Sequence, residues 1–373
     1  MAKKVLVAMS GGVDSSAAAL VLSRAGYDCE GVIMRLLPEA SSTDEKDAAP
    51  VSDAEKDAAP VSDAEKDAAP VSDAEKDAAA VAAALGIPLH VLPLEDEFAR
   101  QVIDPFVVSY ERGETPNPCV RCNKALKFGA LLRFAAQRGC DYIATGHYIR
   151  REEKDGTVRL RVGADKTKDQ SYVLWTLTQK ELSRTLFPLG GMTKAECRAL
   201  AAEAGLPTAY RPDSQDICFV PDGDYGAFIC RRTGRDYPAG DFVTPDGTVL
   251  GRHRGIIRYT VGQRRGLGLA LPEPYYVKEK DVAGNRVVLT PDAGLWSSVA
   301  VAREVSFLGE RPSGAFRVTA KLRYRHAAAP GTAELLPDGK LRVVFDEPQR
   351  AVTPGQSLVL YDGEYLIGGG VLC

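Results

Sequence analysis

Three cysteines carry the most specific chemistry in the chain. Cys119 and Cys122 form a Cys-x-x-Cys pair in the Pro- and Asn-rich stretch 113–122 (GETPNPCVRC), just ahead of a basic helix expected over 123–138 that carries Lys124 and Lys127. A helix N-terminus and nearby cations both lower a thiol's pKa and enrich the nucleophilic thiolate, so this pair is expected to ionise easily. By itself such a pair serves as zinc ligands, a redox couple or iron–sulfur ligands, and no second Cys-x-x-Cys completes a zinc site. Cys218 lies far along the chain in a separate polar motif, DSQDICF (213–219). Cys29 and Cys140 read as core or strand-edge residues, and Cys197, Cys230 and Cys373 as incidental ones.

The second chemical feature is the opening stretch KKVLVAMSGGVDSS (3–16). A short apolar run of buried-strand length breaks into Ser10-Gly11-Gly12-Val13-Asp14-Ser15, and an Ala- and Leu-rich helix follows over 16–24. Strand, glycine turn and helix N-terminus gather backbone N–H groups around one point, where an anion such as a nucleotide phosphate is held. Glycines let the backbone approach phosphate oxygens, Ser10 and Ser15 offer hydroxyls, and Asp14 offers a carboxylate for magnesium. No GxxxxGK[ST] occurs, so this is not the usual P-loop. The stretch resembles the SGGxDS loop of the PP-loop ATP pyrophosphatases, which activate a carbonyl by adenylation.

The elements around these residues alternate. Strands are expected at 29–36, 88–93 and 141–145, with a helix from a capping box at 72–75 to Leu85, a helix strained at Pro105 over 95–110, and a second capping box at 193–196. This spacing implies a doubly wound parallel sheet, with ligands beyond the C-terminal ends of its strands. Ser10–Ser15, Met34 and Gly146-His147 fall at such ends and should converge. A polar hairpin over 150–165 and a helical stretch opening at Lys168 follow. Short alternating strands from Tyr275 onward read as a small barrel. In FRVTAKLRYR (316–325) apolar residues alternate with Arg317, Lys321, Arg323 and Arg325, a face suited either to a phosphate backbone or to plain solvation. The expected organisation is a catalytic domain over 1–207, a small mixed central domain over 208–272 and an antiparallel β-barrel over 273–373.

Between strand and helix the unit EKDAAPVSDA recurs from Glu45. Its prolines interrupt any continuous helix, so 45–74 reads as a flexible tandem insert. Four acidic units between Asp44 and Asp77 also hide a positive remainder behind the net charge of −3, which is compatible with an RNA partner. No apolar run approaches the ~20 residues of a membrane helix. With no export signal, the cysteines are expected as reduced thiols in a cytoplasmic protein that does not engage a membrane.

Five motifs in order, TPNPCVRCNKALKF, ATGHY (144–148), KDQSYVL (168–174), DSQDICF and TPGQS (353–357), resemble the bacterial tRNA 2-thiouridine synthases, the MnmA family. The resemblance runs from the first strand to the final GGG, interrupted by the repeats. It implies an ATP- and Mg2+-using enzyme that 2-thiolates the wobble uridine of tRNA, with sulfur from a cysteine desulfurase or a sulfur-relay protein. By this resemblance Cys122 is the nucleophile and Cys218 the persulfide carrier. Ala8, Met9, Ser10, Gly11, Gly12, Val13, Asp14, Ser15, Met34 and Gly146 form the ATP site. Asn117, Pro118 and Cys119 meet the target base, and His147, Lys168, Asp169, Gln170, Arg323, Tyr324 and Gln356 contact tRNA. Many members carry aspartate at the position of Cys119. Cysteine there raises the alternative of a four-iron cluster on Cys119, Cys122 and Cys218. Two other readings compete: another PP-loop ligase acting on a small molecule, which leaves the cysteines unexplained, and a non-catalytic RNA-binding protein.

Overall fold

Val5, Leu6 and Val7 have no exposed surface because their strand, β1 (Lys4–Ala8), lies inside a parallel sheet covered on both faces. That burial explains a continuous apolar run in place of an alternating one. The structure is a computed structural model describing residues 2–38, 72–212 and 217–373. The repeats up to residue 71, and Asp213–Asp216 of the DSQDICF motif, lie outside the described residues.

In chain order, β1 leads to α1 (Val13–Arg24) and β2 (Asp28–Arg35). Next, α2 (Asp73–Leu85) opens on Ser72, which accepts from the Glu75 N–H at 3.2 Å, and β3 (Leu89–Pro93) follows. Only half of the expected capping box forms, because the Glu75 carboxylate turns to Arg35 at 2.8 and 3.1 Å. One kinked helix comprises α3 (Glu95–Phe98), a π-helical stretch Ala99–Ile103 and α4 (Asp104–Glu111). The wide turn immediately precedes Pro105, whose missing N–H disturbs the regular ladder. A second composite helix joins α5 (Pro118–Cys122), π-helical Asn123–Ala130 and α6 (Leu131–Gln137). It starts at Pro118 rather than at the expected 123, since Asn117 caps it and proline suits the first helical position.

Then come β4 (Tyr142–Ala144), the hairpin β5 (Ile149–Lys154) and β6 (Thr157–Val162), α7 (Gln179–Leu182), β7 (Thr185–Leu186) and α8 (Lys194–Glu203). The stretch after Lys168, expected to be helical, makes only one 3-10 turn, Ser171–Val173. The sheet order β3-β2-β1-β4-β7 is parallel throughout. Its direction of growth reverses between β1 and β4, which opens a crevice beyond Ala8 and Ala144. Val5 and Val7 pack with Ala17, Leu22 and Cys197 on one face, while Leu6 packs with Phe128 and Leu131 on the other.

After α9 (Tyr225–Thr233), a four-stranded sheet holds β8 (Gly240–Val243), β9 (Val249–His253), β10 (Tyr275–Asp281) and β11 (Arg286–Pro291), in the order β10-β11-β8-β9. The strands over 275–291, assigned from sequence to the C-terminal barrel, therefore pair with the central segment instead. The barrel is β12 (Trp296–Phe307), β13 (Ala315–Lys321), β14 (Ala329–Leu335), β15 (Leu341–Arg350), β16 (Ser357–Asp362) and β17 (Tyr365–Leu372). These six antiparallel strands close through a β12–β17 pairing. The β5–β6 hairpin joins this sheet through Leu160 and Arg161 beside β17. The barrel and the first domain thus share strands as well as a core.

Glu30 ties the parallel sheet together: Lys4 from β1, His90 from β3 and Arg138 after α6 all reach its carboxylate, at 2.6, 2.9 and 2.7 Å. Burial pushes its pKa up, but the bonds from Arg138, Lys4 and His90 outweigh this and bring it down to about 2. The stabilisation is full above the ordinary glutamate value and is lost as the pH falls towards 2, on the order of 2 kcal/mol. Glu30→Gln should therefore lower the thermal midpoint at pH 7 and flatten its fall between pH 5 and 2.5. Parallel acid limbs for wild type and variant would refute the assignment.

Candidate active site

At the crevice the Ser10–Ser15 loop is held by its own hydroxyls. Ser15 Oγ accepts from the Ser10 N–H at 3.1 Å and donates to the Gly12 carbonyl at 3.0 Å, while Ser16 donates to that carbonyl at 2.9 Å. Gly12 precedes α1 and provides no side-chain cap, so the first-turn N–H groups of a 12-residue helix face the loop. Gly11 has φ +70°, and a Cβ there would lie 2.7 Å from the Ala74 carbonyl oxygen. A Cβ on Gly146 would lie 2.9 Å from the Asp14 carbonyl carbon, so β4 can deliver its loop against β1's only with glycine. Asp14 accepts from the Tyr148 hydroxyl at 2.7 Å, and the Lys194 ammonium lies 2.8 Å from both its oxygens. This carboxylate fits a magnesium ion as a hard oxygen donor, with its charge balanced here by lysine. Met34, at the end of β2, packs against the same core as Cys122.

The thiols sit on the composite helix and opposite it. Asn117 Oδ1 accepts from the Cys119 N–H at 3.1 Å, which fixes the first turn, and Cys119 and Cys122 are three residues apart on one face. Both were expected to ionise easily; both are instead pushed up. Burial raises Cys122 to about 11, Lys127 opposes this, and Cys218 and Cys119 add to it. Burial likewise raises Cys119 and Cys218. Water reaches Cys119 and Cys218, yet protein surrounds them closely enough for desolvation to outweigh the helix end and Lys127. Charge on Cys119 or Cys218 is felt at Cys122, and charge on Cys119 at Cys218, so the three thiols lie in one neighbourhood, and Lys127 favours the thiolate at each. Among the described residues no group of three or more His, Cys, Asp or Glu is placed to hold a metal ion. The iron–sulfur alternative thus has no ready-made ligand set among the described residues.

The loop before the thiols is clamped from two sides. Glu114 takes two bonds from Arg303 of β12, at 2.9 and 3.0 Å. Its carbonyl accepts from Lys280 of β10 at 3.3 Å, and burial lowers the pKa of that lysine to about 8. The Thr115 N–H donates to Pro354 at 2.8 Å, and Gln356 Nε2 donates to the Thr115 carbonyl at 2.7 Å. Gly355 allows this approach, since a Cβ would meet Thr115 N at 2.8 Å.

Comparison with known proteins agrees with this arrangement along the whole chain. Residues 3–66 and 60–222 match the family described as tRNA methyl transferase HUP domain, 226–291 its PRC-barrel domain, and 297–372 the aminomethyltransferase beta-barrel domain. The tRNA-specific 2-thiouridylase MnmA of Geotalea uraniireducens is 46% identical over 369 residues, covering 99% of this chain and 94% of that protein. That of Moorella thermoacetica is 46% identical over 371 residues, covering 98% of each. The chain belongs to the MnmA family.

Several positions that the family resemblance assigns to RNA contact point inward. His147 is buried between Phe128 and Phe187, at 5.8 and 6.3 Å, and bonds to Thr145 Oγ1 at 2.8 Å. Burial, with Lys127 beside it, lowers its pKa well below the usual range and keeps it neutral. Asp169 caps Gly163 and Ser171, and Gln170 Oε1 accepts from the Tyr148 N–H at 3.0 Å. Lys168 is half-buried beside them. Arg323 lies past the end of β13, not on an open cationic strand face, and donates to the carbonyls of Val261 and Ala351 and to Thr353 Oγ1. Arg317 pairs with Asp346 at 2.6 Å. Tyr324 is exposed, packs edge-on to Tyr172, and lies near Cys119 and Asp169. Sequence reading missed Tyr148, Lys194, Glu114, Lys280 and Arg303. Only Lys194 carried a local signal, a cation at the first position of a capped helix, where the dipole disfavours it.

If burial governs these thiols, alkylation of Cys122 by iodoacetamide should rise about tenfold per pH unit from pH 7 to 10 without levelling. Lys127→Gln should slow it further at each pH. A plateau near pH 8, read by peptide mass spectrometry, would contradict this.

Proposed function

We propose that the chain is an ATP-dependent tRNA-uridine 2-sulfurtransferase acting on the wobble uridine. The observation that carries this reading is an anion-ready SGGVDS loop at the sheet's switch point together with three neighbouring thiols, two on a helix whose preceding loop is clamped by the barrel and the central sheet, and the third opposite it. The uracil O2 attacks the α-phosphorus of ATP, pyrophosphate leaves, and the carbonyl oxygen becomes part of an AMP leaving group. The first-turn N–H groups of α1, with Ser10 and Ser15, hold the phosphates, and Asp14 would hold a magnesium ion that neutralises phosphate charge.

A donor such as a cysteine desulfurase or a relay protein loads Cys218 as a persulfide. Its outer sulfur attacks C2 and AMP departs with the original oxygen. The Cys122 thiolate then attacks Cys218 Sγ; the sulfur–sulfur bond breaks, its electrons pass to the sulfur left on uracil, and a Cys122–Cys218 disulfide remains for an external thiol to reduce. The raised pKa of Cys122 keeps it protonated until the site rearranges around RNA. Asn117, Pro118, Cys119 and Tyr324 line the approach of the base, while His147, Asp169, Gln170, Arg323 and Gln356 hold the surrounding loops in place.

Cys122→Ser and Cys218→Ser should each reduce 2-thiouridine formation at least a hundredfold while tRNA-dependent ATP–pyrophosphate exchange persists. Nucleoside mass spectrometry and exchange of labelled pyrophosphate measure the two steps separately. Full thiolation by either variant would remove that cysteine from the relay.

A further inference from the structure

Lys194 is the first residue of α8, where a cation opposes the positive end of the helix dipole. Its place is nonetheless closely fixed. Thr193 and Glu196 close a complete capping box around it, its N–H donates to Asp165 Oδ2 at 3.1 Å, and its Nζ contacts both Asp14 oxygens at 2.8 Å. Its side chain is 11% exposed and that of Asp14 35%, so the acid is the more open partner. Asp14 lies in the first turn of α1, beside N–H groups that no side chain caps. The only lysine bonded to the SGGVDS loop among the described residues is thus neutralised by the loop's own acid.

We propose that Lys194 is a polyphosphate-binding residue that exchanges partners with an incoming nucleotide. Resting on the ATP reading above, the exchange moves the divalent cation to Asp14 and the polyphosphate oxygens to the Lys194 ammonium. No charge is left unpaired in this swap, which offsets the cost of separating a partly buried pair. Lysine suits the task because its ammonium rides on a flexible four-carbon stem, whereas Tyr148 stays on Asp14 and keeps the carboxylate oriented. A purely structural Lys194, which keeps its hold on Asp14 when nucleotide binds, predicts different binding.

Calorimetric titration of the full chain with inorganic pyrophosphate, with and without magnesium, separates the two. With magnesium, Lys194→Gln should bind at least about tenfold more weakly than wild type, and Lys194→Arg should retain part of the affinity. Without magnesium, Asp14→Asn should bind pyrophosphate several-fold more tightly than wild type, because it removes a carboxylate that competes with the phosphate for the lysine and repels it. The Asp14→Asn arm stands even where Lys194→Gln fails to fold. Equal binding by wild type and a folded Lys194→Gln, or weaker metal-free binding by Asp14→Asn, would overturn the proposal alone. Absence of pyrophosphate and ATP binding by wild type would overturn the nucleotide site itself.

Discussion

Glu114 is the point on which the arrangement depends. Its carboxylate takes a two-bond contact from Arg303 of the barrel, and its carbonyl accepts from Lys280 of the central sheet. Lys280 is largely removed from water and Glu114 is mostly buried, while Arg303 is about half-buried, so loss of Arg303 would leave the Glu114 carboxylate without its two-bond partner. The constraint passes directly along the chain: Thr115 is held to Pro354 and Gln356, Asn117 caps the helix, and Cys119 and Cys122 follow in its first turns. Three parts of the molecule therefore agree on where the thiols stand.

The nucleotide side is organised by a different constraint, close backbone approach. Gly146 lets the β4 loop meet the SGGVDS loop at the sheet's switch point and Gly11 lets the latter pass against α2, for a Cβ on either would strike backbone atoms at 2.7–2.9 Å. The glycine-loop and thiol-bearing halves are thus fixed by separate means. Packing of Met34 and Cys122 on one core brings them together. Such a division suits a reaction in which one half makes a leaving group and the other replaces it.

Most of the fold was legible in the sequence because its strongest signals are local. The apolar run over 5–9, the Ser72 and Thr193 caps and the Pro105 disturbance each act within a few residues, and each appears where expected. Long-range pairing was not legible. The β5–β6 hairpin is a polar alternating stretch whose partner, β17, lies at the far end of the chain. Strands β10 and β11 look like barrel strands until their hydrogen bonds to β8 are known. The same limit applied to the site. Sequence placed Cys119 and Cys122 beside a helix end and Lys127, which favours ionisation, but the burial that reverses it appears only once the chain has packed. Arg323 read as a surface cation because alternation assumes that the strand continues; it ends at Lys321, and the arginine turns inward.

In the proposed reaction the sheet's loop makes the uracil oxygen leave and the thiols supply what takes its place. Turnover of a tRNA transcript carrying oxygen-18 at O2 of the wobble uridine tests it most directly. One labelled oxygen should appear in AMP for each 2-thiouridine formed, read by mass spectrometry. Label appearing in water or free phosphate, with unlabelled AMP, would contradict it.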